Sequence, residues 1–223
     1  MPRFLILHEV TPEHSQFFLE GIVMDSQKIP VILRSFKPKS GFPDSHIPFV
    51  ELSAYQENLR AVIDRYLGMS IIGTIYIVTN GDPRSPLAEL VVDGETPATR
   101  FAQSEYADTQ RVQTIICREK WGANVGSATA LTDGLRVILD SEMVPEHVLI
   151  ASTTVDLSQE AIFKALHASE TYHLQVVGFL RQNHWERYQW RLVQNTAALW
   201  RSSTFQRHGF FFGRVQRQRR QYR

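Results

Sequence analysis

The sequence predicts a three-layer α/β/α fold built on a mostly parallel, twisted β-sheet. The first observation behind this is the order of segments between Val112 and Leu166. An apolar strand-like run, a glycine turn, a helix, a second apolar run with a polar tip and another helix follow one another. The second is Ile71–Thr79, a near-continuous apolar run of the kind a strand covered on both faces requires. The third is the stripe Leu52, Tyr55, Leu59, Val62, Ile63 and Tyr66, spaced for one face of a helix.

Taken from the amino terminus, Arg3–Leu7 reads as a short strand and Phe17–Met24 as either a short helix or a second strand. Residues 1–28 therefore make an N-terminal edge element, a hairpin or a cap. Ile29–Phe36 is a strand, with Pro30 tolerated at its start, and it opens the main domain, residues 29–212. The stretch Lys37–Ser45 is rich in turn formers. Leu52–Leu67 is a helix whose Ser53 and Gln56 have the spacing of a capping box. The strand Ile71–Thr79 stops at the turn Asn80-Gly81-Asp82-Pro83. Residues 84–111 read as polar and irregular, with Leu87–Val92 a helical turn or short strand inside an insertion.

Val112–Cys117 is rich in β-branched residues and predicts a strand. Glycines in Trp121–Ser127 permit a tight turn and close approach to a ligand. Ala128, Leu131, Leu135, Ile138 and Leu139 then share a helical face. Val148–Ala151 forms the next strand, ending in Ser152-Thr153-Thr154-Val155-Asp156, and Leu157–Ala168 returns to helical spacing. Leu174–Leu180 is a further strand, followed by the aromatic stretch His184–Trp190. The piece Gly213–Arg223 has five arginines and only Val215 and Tyr222 as apolar or aromatic residues, so it predicts a disordered tail.

Composition narrows the function classes. The chain has 223 residues, 43% apolar and 21% charged, which suits one sizeable globular core. No apolar run approaches the roughly 20 residues of a membrane span. The amino terminus has no signal-peptide pattern, making the cytoplasm the default compartment. A lone cysteine, Cys117, excludes an intrachain disulfide and a cysteine-based zinc cluster, and on a strand it reads as a small buried hydrophobe. Net charge is +1, yet nine arginines and no acidic residue follow Glu186, which leaves about −8 on the body. The tail alternates arginine with glutamine and lacks interleaved aromatics, so nucleic acid is a disfavoured partner. No Gly-x-Gly-x-x-Gly stands at a strand–helix turn, which sets aside a dinucleotide redox enzyme.

The segments Asn124-Val125-Gly126, the helix through Gly134-Leu135, the strand Val148–Ala151 and the phrase Asn195–Arg201 together resemble the GT-A nucleotide-sugar glycosyltransferases, in particular inverting family 2. The resemblance covers about residues 29–210. It implies a nucleotide-diphospho-sugar transferase-like fold and transfer of a sugar from a nucleoside-diphosphate-sugar donor to a hydroxyl acceptor on a glycan, lipid or protein. Donor-binding residues implied by it are Arg34 and Ser35, with Lys37, at the nucleobase or ribose. Asn80 and Asp82 fall at the same end of the donor. Asn124, Gly126 and Ser127 would position the sugar or diphosphate, completed by the tip Ser152, Thr153 and Thr154. For Arg34, Ser35 and Lys37 a solvated loop is an equal alternative; for the others, ordinary turns ending strands are the bland reading.

The family also implies Mg²⁺ or Mn²⁺ held by an Asp-x-Asp, but Ser152-Thr153-Thr154 stands in its place. Asp156 is the remaining metal candidate, and Asp156-Leu-Ser-Gln159 fits a helix N-cap better. Trp185 and Trp190, with Tyr188, are acceptor-site candidates through stacking on sugar rings, although tryptophans more often serve as core. His208-Gly209-Phe210 looks like the family's late glycine turn, yet no carboxylate follows it. Glu186 is the only late candidate for general base. Two readings follow: a glycosyltransferase with altered or truncated chemistry, or a catalytically inactive domain that binds sugar nucleotides or glycans.

Overall fold

The computed structural model describes residues 4–7, 28–35, 37, 50–80, 91–117, 128–153, 155–179 and 197–208. Their elements in order are β1 (Phe4–Leu7), β2 (Ile29–Arg34), α1 (Leu52–Gly68), β3 (Ile72–Asn80), α2 (Pro97–Glu105), β4 (Val112–Cys117), α3 (Ala128–Leu139), β5 (His147–Ser152), α4 (Gln159–Thr171), β6 (Val176–Phe179), β7 (Ala197–Arg201) and α5 (Ser202–His208). The seven strands form one sheet in the order β1-β6-β7-β5-β2-β3-β4. All pairings are parallel except those of β7, which runs against both β5 and β6.

Two apolar layers sandwich the sheet. On one face α1, α2 and α4 bury Leu59, Ile63, Phe101, Ile162 and Ala165 against Leu33, Ile77 and Leu149. On the other, α3 and α5 bury Leu131, Leu135, Ile138 and Phe205 against Ile32, Val78 and Ile150. The central strand β5 is buried at all six positions, which explains its unbroken apolar wording. The three-layer, mostly parallel α/β fold expected from the sequence is the one observed.

Several local expectations need correction. Residues 84–111 are not uniformly irregular, because 97–105 form α2, whose Ala98, Phe101 and Ala102 are buried. Thr96 caps this helix by accepting a hydrogen bond from the Thr99 amide, with Pro97 in the first turn. Nine residues are too few for a convincing apolar period, so only the Thr-Pro start signal marked it. The helix starts at Leu52 as expected, but Ser53 and Gln56 make no capping box: the N-cap is Glu51, two residues before Ser53, and it has no side-chain cap bond. Leu52, in the first turn, lies outside the buried stripe at 38% exposure. Asp156 is not the N-cap of α4; that position belongs to Ser158, whose hydroxyl accepts from the Ala161 amide. Phe17–Met24, residues 81–90, the turn at 118–127, the aromatic stretch and the tail 213–223 lie outside the described residues. Among the described residues no helix is long and apolar enough to cross a membrane.

Three polar or steric details hold the layers in place. Arg111 donates to the carbonyls of Leu67 and Ile72 at 3.1 and 2.9 Å, closing the α1–β3 connection. At the amino end of β5, the His147 ring nitrogen lies 3.0 Å from the Ser169 hydroxyl. Arg201 donates to that same hydroxyl and to the Leu174 carbonyl, and is ion-paired with Glu146. On α3, Gly134 brings the helix close to the sheet: a Cβ there would stand 3.0 Å from Val78 Cγ1 and 3.2 Å from Ile32.

Since Val78 and Ile32 are themselves fully buried and cannot retreat, Gly134→Val should overpack this contact. A loss of about 2 kcal/mol in urea unfolding is expected, and unchanged stability would show that α3 can shift outward freely. His147 gives a second prediction. Burial first, and then the Arg201 charge, hold its imidazole down to about 4, below the usual 6.5. The unfolded chain therefore binds an extra proton between those values. The stabilising contribution is complete above pH 6.5 and disappears as pH falls through 4, amounting to about 3 kcal/mol. His147→Gln should flatten the fall of the urea midpoint across that window; equal slopes in both proteins would show another group titrating.

Candidate functional site

A parallel strand delivers its last residue, and the loop after it, to one edge of the sheet. The chain uses that geometry four times, in β2, β3, β4 and β5, whose carboxyl ends lie side by side. From β2 it winds outward through α1 to β3 and through α2 to β4, with both helices on one face. It then returns to the other side of β2 by way of α3, on the opposite face, to form β5. The strand order therefore reverses between β2 and β5. The helices leaving the two strands, α1 and α4, both pack on the first face, and the carboxyl ends of β2 and β5 form the edge where such sheets prefer to place ligands.

Arg34 ends β2 and is in register with Ser152, the last residue of β5, and with Val78 of β3. The two candidate residues from the sequence, 118 positions apart, thus meet at the reversal point. Arg34 is partly buried, and desolvation lowers its pKa from the usual arginine value. Ser152 is 7% exposed and its carbonyl accepts from the Val155 amide at 3.1 Å, so the tip turns sharply. Thr153 is fixed from α1, where the Asn58 side-chain amide donates to its carbonyl at 3.1 Å. Asn80 closes β3 in register with Cys117, placing its backbone on the same edge.

On the α1 side, Ser35 is fully buried and its hydroxyl sits 2.5 Å from that of Tyr55. Lys37 is only 3% exposed, so the solvated-loop reading fails for that residue as well as for Ser35. Beneath the end of β3, Thr96 donates to the Thr79 hydroxyl at 3.0 Å and shares a 2.9 Å contact with Thr99. This cluster ties the N-terminus of α2 to the same edge.

Asp156 stands apart from the tip. Its carboxylate is ion-paired with Arg65 of α1, and its side chain is 72% exposed. Among the described residues no group of three or more His, Cys, Asp or Glu side chains converges on a metal position. The candidates Asp82, Asn124, Gly126, Ser127, Thr154, Trp185, Trp190 and Glu186 lie outside the described residues. Asn58, Tyr55 and the threonine cluster were not singled out from sequence. Tyr55 was legible only as core, and nothing local marks Asn58, since its partner lies 95 residues away.

Comparison with protein-family models and with curated proteins finds no match. Among solved structures the chain is similar to 4-diphosphocytidyl-2C-methyl-D-erythritol synthase from Anaerococcus prevotii DSM 20548. The TM-score is 0.45 at 13% identity, over 80% of this chain and 72% of that one. It is also similar to CMP:2-keto-3-deoxy-manno-octonic acid synthetase complexed with CTP, at TM-score 0.47 and 11% identity over 85% and 80%. A further 4-diphosphocytidyl-2C-methyl-D-erythritol synthase matches at TM-score 0.45 and 13% identity over 85% and 82%. None of the three bears a glycosyltransferase name, and the fold class stands on the strand order and the two packed layers themselves.

Proposed function

We propose that this chain binds a phosphorylated nucleotide over the carboxyl ends of β2 and β5 and acts as a nucleotide-dependent transferase. In its specific form the donor is a nucleoside-diphosphate sugar and the acceptor carries a hydroxyl. The single observation that carries this reading is the reversal of strand order, which brings Arg34 and Ser152 into register at the carboxyl edge. A cationic fork and a hydroxyl at neighbouring strand ends suit phosphate oxygens. Asn80, at the end of the neighbouring strand β3, is assigned to the ribose or base, and Ser35, bonded to Tyr55, supports that edge from below.

For transfer, the leaving diphosphate accumulates charge that Arg34 neutralises, while the acceptor hydroxyl must lose a proton. Glu186 is the one late carboxylate assigned to that proton, and Trp185 and Trp190 are assigned to the acceptor. A second reading, a domain that binds sugar nucleotides without transferring anything, is favoured by Ser152-Thr153-Thr154 at the tip and by the lack of acidic residues beyond Glu186.

Calorimetric titration with UDP-, GDP- and dTDP-sugars and with CTP separates these. Saturable binding at about 1 mM or tighter is expected for at least one of them. Ser152→Ala and Asn80→Ala should each weaken it by about tenfold, the worth of one or two hydrogen bonds. Binding accompanied by release of the nucleoside diphosphate supports the transferase, and binding without turnover supports the second reading. No saturable binding by any nucleotide overturns both.

A further inference from the structure

A divalent ion is what the glycosyltransferase resemblance implies at the tip after β5, and the residues there do not fit one. Ser152 and Thr153 offer hydroxyls, which are poor ligands for a hard dication. The Asp156 carboxylate is already engaged by Arg65, and no convergent set of metal-ligating side chains exists among the described residues. What the tip has instead is a fixed positive charge on the neighbouring strand. Arg34 is in register with Ser152, one strand spacing (about 4.8 Å) away. Ion pairs of Arg60, Arg65, Arg136 and Arg201 are all accounted for by carboxylates. Arg34 differs: among the described residues no carboxylate or carbonyl is paired with its guanidinium, although it is partly buried.

A partly desolvated cation without a counter-charge costs free energy, and a chain keeps it where an anion completes the pair. The planar fork of arginine matches two oxygens of one phosphate, and it retains its charge at every physiological pH. A dication placed beside it would be repelled.

We propose that Arg34 takes the position a divalent ion would hold, so that the carboxyl edge of β2 and β5 binds the diphosphate of its nucleotide without metal. The inference rests on the placement of the ligand at the β2–β5 reversal and names how the charge of that ligand is met. Ser152 then contributes a neutral hydroxyl to a phosphate oxygen rather than a ligand to a metal. Replacement of the acidic tip by Ser152-Thr153-Thr154 becomes the compensating change, since two carboxylates beside Arg34 would neutralise it and exclude the phosphate.

The test uses inorganic pyrophosphate titrated into the full chain by calorimetry, first in EDTA and then in Mn²⁺. Saturable binding in EDTA is expected, changed by Mn²⁺ by no more than about twofold. Arg34→Gln should weaken it by about 10- to 100-fold, the range of a charge-assisted bidentate contact. Arg34→Lys should retain binding between the two. Melting of the ligand-free proteins supplies an independent readout. Arg34→Gln removes a partly buried charge that has no carboxylate partner among the described residues, so its melting temperature should equal or exceed that of the parent chain. The proposal is overturned if pyrophosphate binds only with Mn²⁺, if Arg34→Gln binds as tightly as the parent, or if both Arg34 variants unfold. Should nucleoside diphosphates bind no tighter than pyrophosphate, the nucleotide reading falls while an Arg34-dependent, metal-free pyrophosphate site still stands.

Discussion

Everything in this molecule depends on the hydrogen-bonded pairing of β2 with β5, two parallel strands that must be covered on both faces. A parallel pair cannot be joined by a tight turn, so each crossover carries a helix, and the helices have to be shared between the two faces. Once β2 lies between β3 and β5, the path of the chain obliges α1 and α2 to one face and α3 to the other. Polar side chains are then excluded from the middle of these strands and concentrated at their ends. The candidate site and the buried core are two consequences of that one constraint.

The two ends of β5 have been given different work. At its amino end, His147, Ser169, Arg201 and the Leu174 carbonyl form a closed network in which each polar group finds a partner. Such a network ties α4, β5, β6 and β7 together and gains nothing from a ligand. At its carboxyl end, Ser152 is in register with Arg34, whose guanidinium has no carboxylate partner among the described residues.

Much of the architecture was legible because the strands and helices obey simple periods. Val112–Cys117 was read to its last residue, and the stripe on α1 from Tyr55 to Tyr66 is the buried stripe observed. Elements whose signals are short or polar were misread. Helix α2 announces itself only through Thr96-Pro97, and Asp156 has the right neighbours for a cap although Ser158 holds the position. The first is too short to show an apolar period, and the second comes from competition between residues that can cap equally well in isolation. Which one does so depends on where the chain leaves the sheet, and here Arg65 of α1 draws Asp156 away.

By itself the sequence determined the alternation of strand and helix, the burial of the central strands on both faces and the polar endings of those strands, because each follows from residue types over fewer than twenty positions. It also carried the hydroxyl-bearing tip Ser152-Thr153-Thr154. Only the tertiary structure decided that Arg34 lies against Ser152, that Asn58 holds Thr153, and that Ser35 is locked to Tyr55 beneath the rim. Those partners are 20 to 118 residues apart, and they meet because sheet order and register, set by packing across the whole core, bring distant strand ends together.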